Sequence, residues 1–148
     1  MSLLKKLDED LKTALKNSDK LKLAVVRLAK AAIKNQQIDK GRELQDEEIL
    51  AIFSTLAKQR RESIEQFSKG GRNDLVLQET QELEILQSYM PRQLSAEEID
   101  AMILQAIKES SVESEGDIGK VMKLLAPRIK GVADGKWVNS RVRELLHG

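Results

Sequence analysis

The chain has 148 residues, of which 41% are hydrophobic and 33% charged, and its formal net charge is +1. This length can bury the core of one ordinary domain or of two small ones, and the composition is typical of a soluble, helix-rich protein. The lack of cysteine excludes disulfides, thiolate chemistry and thiolate zinc sites.

The only histidine, His147, stands next to the last residue. A His-based metal site or catalytic triad would therefore have to rest on a fraying end of the chain. The sequence begins Met-Ser-Leu-Leu-Lys-Lys and then becomes amphipathic, with no apolar run that matches a signal peptide or a transmembrane helix. We expect no membrane association, no metal, no cofactor and a cytoplasmic location.

Apolar residues at helical spacing predict two helices near the N-terminus. Ser2 is a candidate N-cap of the first. The segment 17–19 breaks the pattern, and Asp19 can cap a second helix over about Lys20–Gln37, which Gly41 ends.

The second predicted helix carries a basic strip beside its apolar face. At 100° per residue, Lys20, Arg27 and Lys34 fall within about 40° of one another, and Lys30 lies nearby. The strip is either a solvated helix surface or a set of phosphate contacts. The residues alone leave both interpretations open.

Two further helices follow before residue 90. The acidic segment 45–48 favours a helix start, because carboxylates are stabilised by the positive end of the helix dipole. The pair Gly70-Gly71 ends this third helix, and Asn73 or Asp74 can cap a fourth.

A boundary is predicted where Met90-Pro91 interrupts the helical pattern, because proline disfavours helix in the residue before it. Ser95 and Glu98 then form a capping-box pattern that opens a new apolar run. We expect two domains, 1–92 and 93–148.

Three helices are predicted in the second domain. The first follows Ser95, the second begins after a cap at Asp117 and is bent or ended by Pro127, and the third follows turns at Gly131 and Gly135. No segment alternates with a period of two, so no sheet is expected. The predicted fold is all-α, with a four-helix N-terminal domain followed by a small three-helix C-terminal bundle.

The sequence shows none of the common catalytic motifs. The sequence lacks G-x-S-x-G and H-E-x-x-H, and the glycines before Lys120 have the wrong spacing for a Walker A loop. The carboxylates at 46–48 and 97–100 lie in predicted first turns, where capping explains them. We predict no catalytic residue.

The segment 116–139 is the least generic part of the chain. It holds four of the eight glycines and the only tryptophan, and from residue 116 onward seven Lys or Arg stand against three acids. In one interpretation, the glycines allow helix N-termini to hold phosphate. In the other, the glycines are turns and C-caps, and Trp137 lies in the core. The candidate nucleic-acid-binding residues are Lys120, Lys123, Arg128, Lys130, Lys136 and Arg141.

Several motifs resemble the YqeY-like proteins and the C-terminal tail domain of the B subunit of the glutamine-dependent tRNA amidotransferase (the GatB/YqeY family). The similar stretches are Lys30–Asn35, Lys58–Ile64, Tyr89–Ser95, Gly119–Met122, Pro127, Lys130–Gly135 and Val138-Asn139. They extend over essentially the whole chain.

The resemblance implies two helical parts, the second shared with the amidotransferase tail that helps to engage tRNA. Our first hypothesis is a non-catalytic accessory module that binds tRNA or another RNA. The alternatives are a module that docks on an amidotransferase-like protein partner, or a subunit with carbon–nitrogen ligase activity that uses glutamine as amido donor. Because the residues show no catalytic machinery, we expect no enzyme activity from the chain alone.

Overall fold

The computed structural model describes residues 2–111 and 117–147 of the chain. These residues form seven α-helices and contain no strand, which confirms the all-α fold class. The helices are α1 Leu3–Lys16, α2 Lys20–Lys40, α3 Asp46–Lys69, α4 Asn73–Gln87, α5 Ala96–Ser110, α6 Ile118–Ile129 and α7 Gly135–His147.

The chain divides into two compact units, Met1–Met90 and Pro91–Gly148. The first contains α1 to α4 and the second contains α5 to α7. Each unit has its own cluster of buried apolar side chains, and no residue belongs to both clusters.

The first two helices begin where the sequence predicts. The hydroxyl of Ser2 accepts a hydrogen bond from the Lys5 N–H at 3.2 Å, and the carboxylate of Asp19 accepts one from the Lys22 N–H at 3.2 Å. These side chains satisfy N–H groups that have no partner within the helix. Helix α2 continues three residues beyond the predicted Gln37, because the residue that ends it is Gly41, at φ 68°.

The core of the first unit is centred on α2 and α3. Its buried residues include Val26 and Ile33 from α2 and Ile49 and Phe53 from α3. The ring of Tyr89, just beyond α4, stacks on Phe53 with centroids 5.2 Å apart. The Tyr89 hydroxyl donates a hydrogen bond to Asp10 of α1 at 2.5 Å, which ties the end of this unit to its beginning.

The start of α4 differs from the prediction. Arg72, not Asn73 or Asp74, occupies the N-cap position and makes no side-chain capping hydrogen bond. Its guanidinium instead pairs with the Asp74 carboxylate at 3.2 Å. Asp74 therefore acts as an acid in the first turn, where the helix dipole still favours it.

In the second unit, α5 begins with the predicted capping box. The Ser95 hydroxyl accepts from the Glu98 N–H at 3.1 Å, and the Glu98 carboxylate accepts from the Ser95 N–H at 3.2 Å. The segment before α5 is held by the turn after α6, because the Leu94 N–H donates to the Val132 carbonyl at 2.8 Å. The buried core of this unit comprises Ile99, Ile103, Ala106, Val121, Leu125, Ile129, Val138 and Val142.

Helix α6 differs from the prediction at its start, and it excludes one of the two effects predicted for Pro127, which were to bend or to end the helix. Asp117 stands at the N-cap position but makes no side-chain capping hydrogen bond. Pro127 lies inside the helix, which continues to Ile129, so the proline does not end it. An interior proline lacks its own N–H and crowds the carbonyl four residues earlier, which disfavours a helix; the buried residues Leu125 and Ile129 anchor the backbone on both sides of it.

Within the described residues, none of the helices combines the length and the apolar character needed to cross a membrane.

Candidate nucleic-acid interface

Helix α6 and its C-cap residue, Lys130, present three of the predicted contact residues on one face. Its buried side is formed by Val121, Leu125 and Ile129. At 100° per residue, Lys120, Lys123 and Lys130 each lie about 140° to 160° around the helix axis from Leu125. All three side chains are exposed. We call this surface the α6 lysine face.

The charges of the α6 lysine face are largely uncompensated. The ammonium of Lys120 lies 4.0 Å from the Asp117 carboxylate, at the limit of an ion pair. Among the described residues, neither Lys123 nor Lys130 forms an ion pair with a carboxylate. Exposed cations of this kind remain available to an external anion.

The two arginines of the predicted set have a different environment. A guanidinium nitrogen of Arg128 lies 2.8 Å from the Glu109 carboxylate. Arg141 contacts both Asp100 oxygens, at 2.7 and 2.9 Å, and the Glu144 carboxylate at 2.7 Å. These contacts join α6 and α7 to the two ends of α5.

The pairing changes the proton affinities of the groups involved. The hydrogen bond from Arg141 lowers the pKa of Asp100, and the hydrogen bond from Arg128 lowers the pKa of Glu109. The pKa of Arg141 is raised, mainly by its hydrogen bond to Asp100 and then by that to Glu144. The charge of both arginines is therefore already paired with carboxylates of α5 and α7.

Helix α7 contributes Lys136 and one residue that sequence reasoning missed. Arg143 stands seven positions after Lys136, so the two exposed side chains share a face of the helix. The Arg143 guanidinium donates to the Asn139 side-chain oxygen at 3.1 Å, and it pairs with no carboxylate in the part of the chain that the structure describes. The seven-residue spacing was the signal that could have found it.

Trp137 is not a core residue, contrary to the turn-and-core interpretation of this segment. Its side chain is 42% exposed, since the apolar face of α7 is made by Val138 and Val142. The indole borders a shallow depression of about 300 Å³, whose lining also includes Asp100, Arg141 and Glu144. The lining has two carboxylates and one guanidinium, so its net charge is negative and disfavours phosphate binding.

The glycines do not form an open phosphate loop among the described residues. Gly119 lies inside α6, Gly135 is the first residue of α7, and Gly131 makes the turn between them with φ 79°. The Asp134 carboxylate already accepts from the Lys136 N–H at 3.3 Å at the start of α7. Gly116 lies outside the described residues.

The other titratable side chains that the structure describes are explained by helix starts and ion pairs. Within residues 2–111 and 117–147, no group of three or more His, Asp or Glu side chains is arranged to hold a metal ion. The strongly perturbed carboxylates, such as Glu48 and Glu98, belong to helix starts and are paired with arginine.

Comparison with known proteins gives a consistent match. The model of the Yqey-like protein family matches residues 4–146. Three similar curated proteins, from Kluyveromyces lactis, Lachancea thermotolerans and Eremothecium gossypii, are each named "Altered inheritance of mitochondria protein 41, mitochondrial". Their identities are 33%, 37% and 42%, over 78%, 70% and 64% of this chain.

These alignments cover 66%, 57% and 54% of the relatives, so the chain spans between about half and two thirds of their length. The relatives contradict the predicted cytoplasmic location, because their names describe them as mitochondrial. The predicted location follows from the lack of an apolar run, a criterion that detects only secretion signals and membrane spans. Mitochondrial transit peptides are amphipathic and basic, so a hydropathy criterion does not detect them.

Proposed function

The chain belongs to the family of Yqey-like proteins, and from this membership we propose that it is an accessory module that binds RNA, with tRNA as the preferred class. The observation that carries the proposal is the α6 lysine face, where Lys120 and Lys123 of α6 and the C-cap residue Lys130 are exposed on one side. Lys136 and Arg143 on α7 add two further exposed cations.

The physical basis of the proposal is the release of counterions. Each phosphate neutralised by a lysine frees condensed cations, so affinity falls with salt on a log–log slope of about −0.7 to −0.9 per contact. Three contacts from the α6 lysine face predict a slope of about −2 to −3. We assign Arg128 and Arg141 a positioning role, since their guanidinium groups are held by carboxylates of α5 and α7.

The test is a titration of labelled tRNA with the full chain at several salt concentrations. The double variant Lys123→Glu with Lys130→Glu should bind roughly tenfold more weakly or worse at about 50 mM salt. The matched control is Arg27→Glu with Lys34→Glu, which makes the same two charge reversals seven positions apart on α2. Absence of tRNA binding by the unmodified chain, or equal weakening by both pairs, would refute the proposal.

A carbon–nitrogen ligase activity is not part of the proposal, because no arrangement of described side chains supports it. The direct check is glutamine-dependent ammonia release by the purified chain, for which we expect none. Release above background that disappears with a point variant would overturn this expectation.

We also propose that residues 1–92 and 93–148 are two structural domains. The support is the division into two compact units and the separation of the apolar residues into two clusters. Such an arrangement allows each part to respond separately to a mutation in its own core.

A further inference from the structure

Helix α2 has a second ordered stripe, on the side away from its core. The buried residues of the helix are Val25, Val26, Ala29 and Ile33. On the opposite side, five side chains are exposed at alternating spacings of four and three residues. They are Ala24, Leu28, Ala31, Asn35 and Ile38, which we call the α2 stripe.

The α2 stripe is more apolar than an ordinary solvent-facing helix surface. Leu28 is 40% exposed and Ile38 is 67% exposed, and both are among the few large apolar side chains left uncovered in the described structure. The alternating four-three spacing is that of the contact positions of a coiled coil. Ala24 and Ala31 leave room for side chains of a facing helix to insert between the larger residues.

A row of cations runs along one edge of the stripe. Lys20, Arg27 and Lys34 follow one another at intervals of seven residues, about 10.5 Å apart along the axis. All three are exposed, and none forms an ion pair with a described residue. Lys30, further round the helix, is by contrast paired with Asp8 of α1 at 2.5 Å. The row is therefore both basic and uncompensated.

We propose that the α2 stripe and its basic edge form a docking surface for an acidic amphipathic helix of a partner protein. Such a helix would place leucine or isoleucine side chains against Leu28 and Ile38. Its glutamates or aspartates would meet Lys20, Arg27 and Lys34. The stripe from Ala24 to Ile38 rises about 21 Å, which corresponds to about four turns of the partner.

Other occupants fit the surface less well. A nucleic acid would use the cations but would leave Leu28 and Ile38 without apolar partners. A second copy of the chain would bring an identical row of cations, and like charges across a helix pair are unfavourable. The combination of apolar stripe and basic edge favours an acidic helix, and this assignment does not depend on RNA binding.

The test uses the full chain and a synthetic labelled peptide of about 21 residues, which is three heptads and therefore longer than the roughly four turns of the stripe. The peptide has leucine or isoleucine at its a and d positions and glutamate at e and g, so it repels itself and stays monomeric. A control peptide carries lysine at e and g. Fluorescence anisotropy should show the glutamate peptide binding about tenfold more tightly than the lysine peptide, with an affinity that falls as salt is added.

Variants separate the apolar and charged contributions. Arg27→Glu with Lys34→Glu should reverse the preference between the two peptides. Leu28→Ser with Ile38→Ser should lower the affinity for the glutamate peptide about tenfold or more. Circular dichroism would show that this variant keeps its fold. The matched control, Lys123→Glu with Lys130→Glu, should change peptide binding less than twofold.

Four outcomes would overturn the proposal. They are no binding of the glutamate peptide, equal binding of both peptides, loss of tRNA affinity on reversal of Arg27 and Lys34, and a concentration-dependent dimer abolished by Leu28→Ser with Ile38→Ser. The last two would assign the α2 stripe to a nucleic acid or to a second copy. Because tRNA binding is assayed on the α6 variants, failure of either proposal leaves the other testable.

Discussion

The carboxylate of Glu98 stabilises the start of α5, and its pKa shows the effect of its hydrogen bonds. Its carboxylate accepts from the Ser95 N–H and is also held by the Arg92 guanidinium at 2.7 Å. These contacts, with the Arg92 hydrogen bond the largest and the Ser95 N–H next, lower the pKa of Glu98 to about 2. Since the folded pKa lies below the ordinary value of 4.5, this contribution to stability is present above that value and is lost as pH falls toward about 2.

Replacement of Arg92 by glutamine should move the pKa of Glu98 upward while leaving it below the ordinary value, because the Ser95 N–H remains. The folded protein should then lose the contribution of Glu98 at a higher pH during acidification. The measurement is an NMR titration of the Glu98 carboxyl carbon. Arg72→Gln, which removes a similar surface pair with Asp74, is the control and should leave Glu98 unchanged; an identical Glu98 titration in both variants would contradict the prediction.

Residue type alone also fails to distinguish the six predicted contact residues from one another. Lys123 and Lys130 are free of carboxylate partners among the described residues, whereas Arg141 is held by Asp100 and Glu144. The partners of Arg141 differ in sequence distance, since Glu144 is three positions away and Asp100 is 41. The local partner could be predicted from helical spacing, but the distant one could not.

Among the elements, the turn between α6 and α7 depends on one glycine. Gly131 has φ 79°, a conformation that other residues adopt only with strain. Its carbonyl accepts from the Gln93 side chain at 2.9 Å, and the next residue, Val132, accepts from Leu94. The turn therefore links the end of α6 to the start of α5.

Gly131→Ala should destabilise the second unit by about 1 to 2 kcal/mol. An added Cβ would meet no atom within 4 Å, so backbone strain alone accounts for the expected loss. Gly135→Ala is the matched control, since Gly135 is helical and its Cβ would also meet nothing. That variant should leave the free energy of unfolding unchanged or raise it by up to about 1 kcal/mol; urea denaturation of both variants measures the difference, and equal effects would contradict it.

Over the whole molecule, the two separate cores predict two separate responses to mutation. Leu125 is fully buried in the second cluster, and its replacement by alanine should cost about 2 to 5 kcal/mol. Because the second unit is small, its free energy of unfolding is low. Hydrogen exchange in Leu125→Ala should accelerate throughout α5 to α7 and stay unchanged in α1 to α4.

Ile49→Ala is the counterpart in the first cluster. It should accelerate exchange in α1 to α4 and spare α5 to α7. If either variant accelerates exchange equally in all seven helices, the chain unfolds as one cooperative body, and the proposed division into two domains is wrong.

The sequence by itself determined the helical class, the caps at Ser2, Asp19 and Ser95, and the break near Pro91. These features depend on residues within four positions of one another, whose interactions are set by helix geometry. Only the tertiary structure decided that Trp137 is exposed, that α6 continues past Pro127, and that Arg128 and Arg141 are paired while Lys123 and Lys130 are not. Those outcomes depend on which faces of distant helices pack together, and the spacing of residues along one helix does not predict that packing.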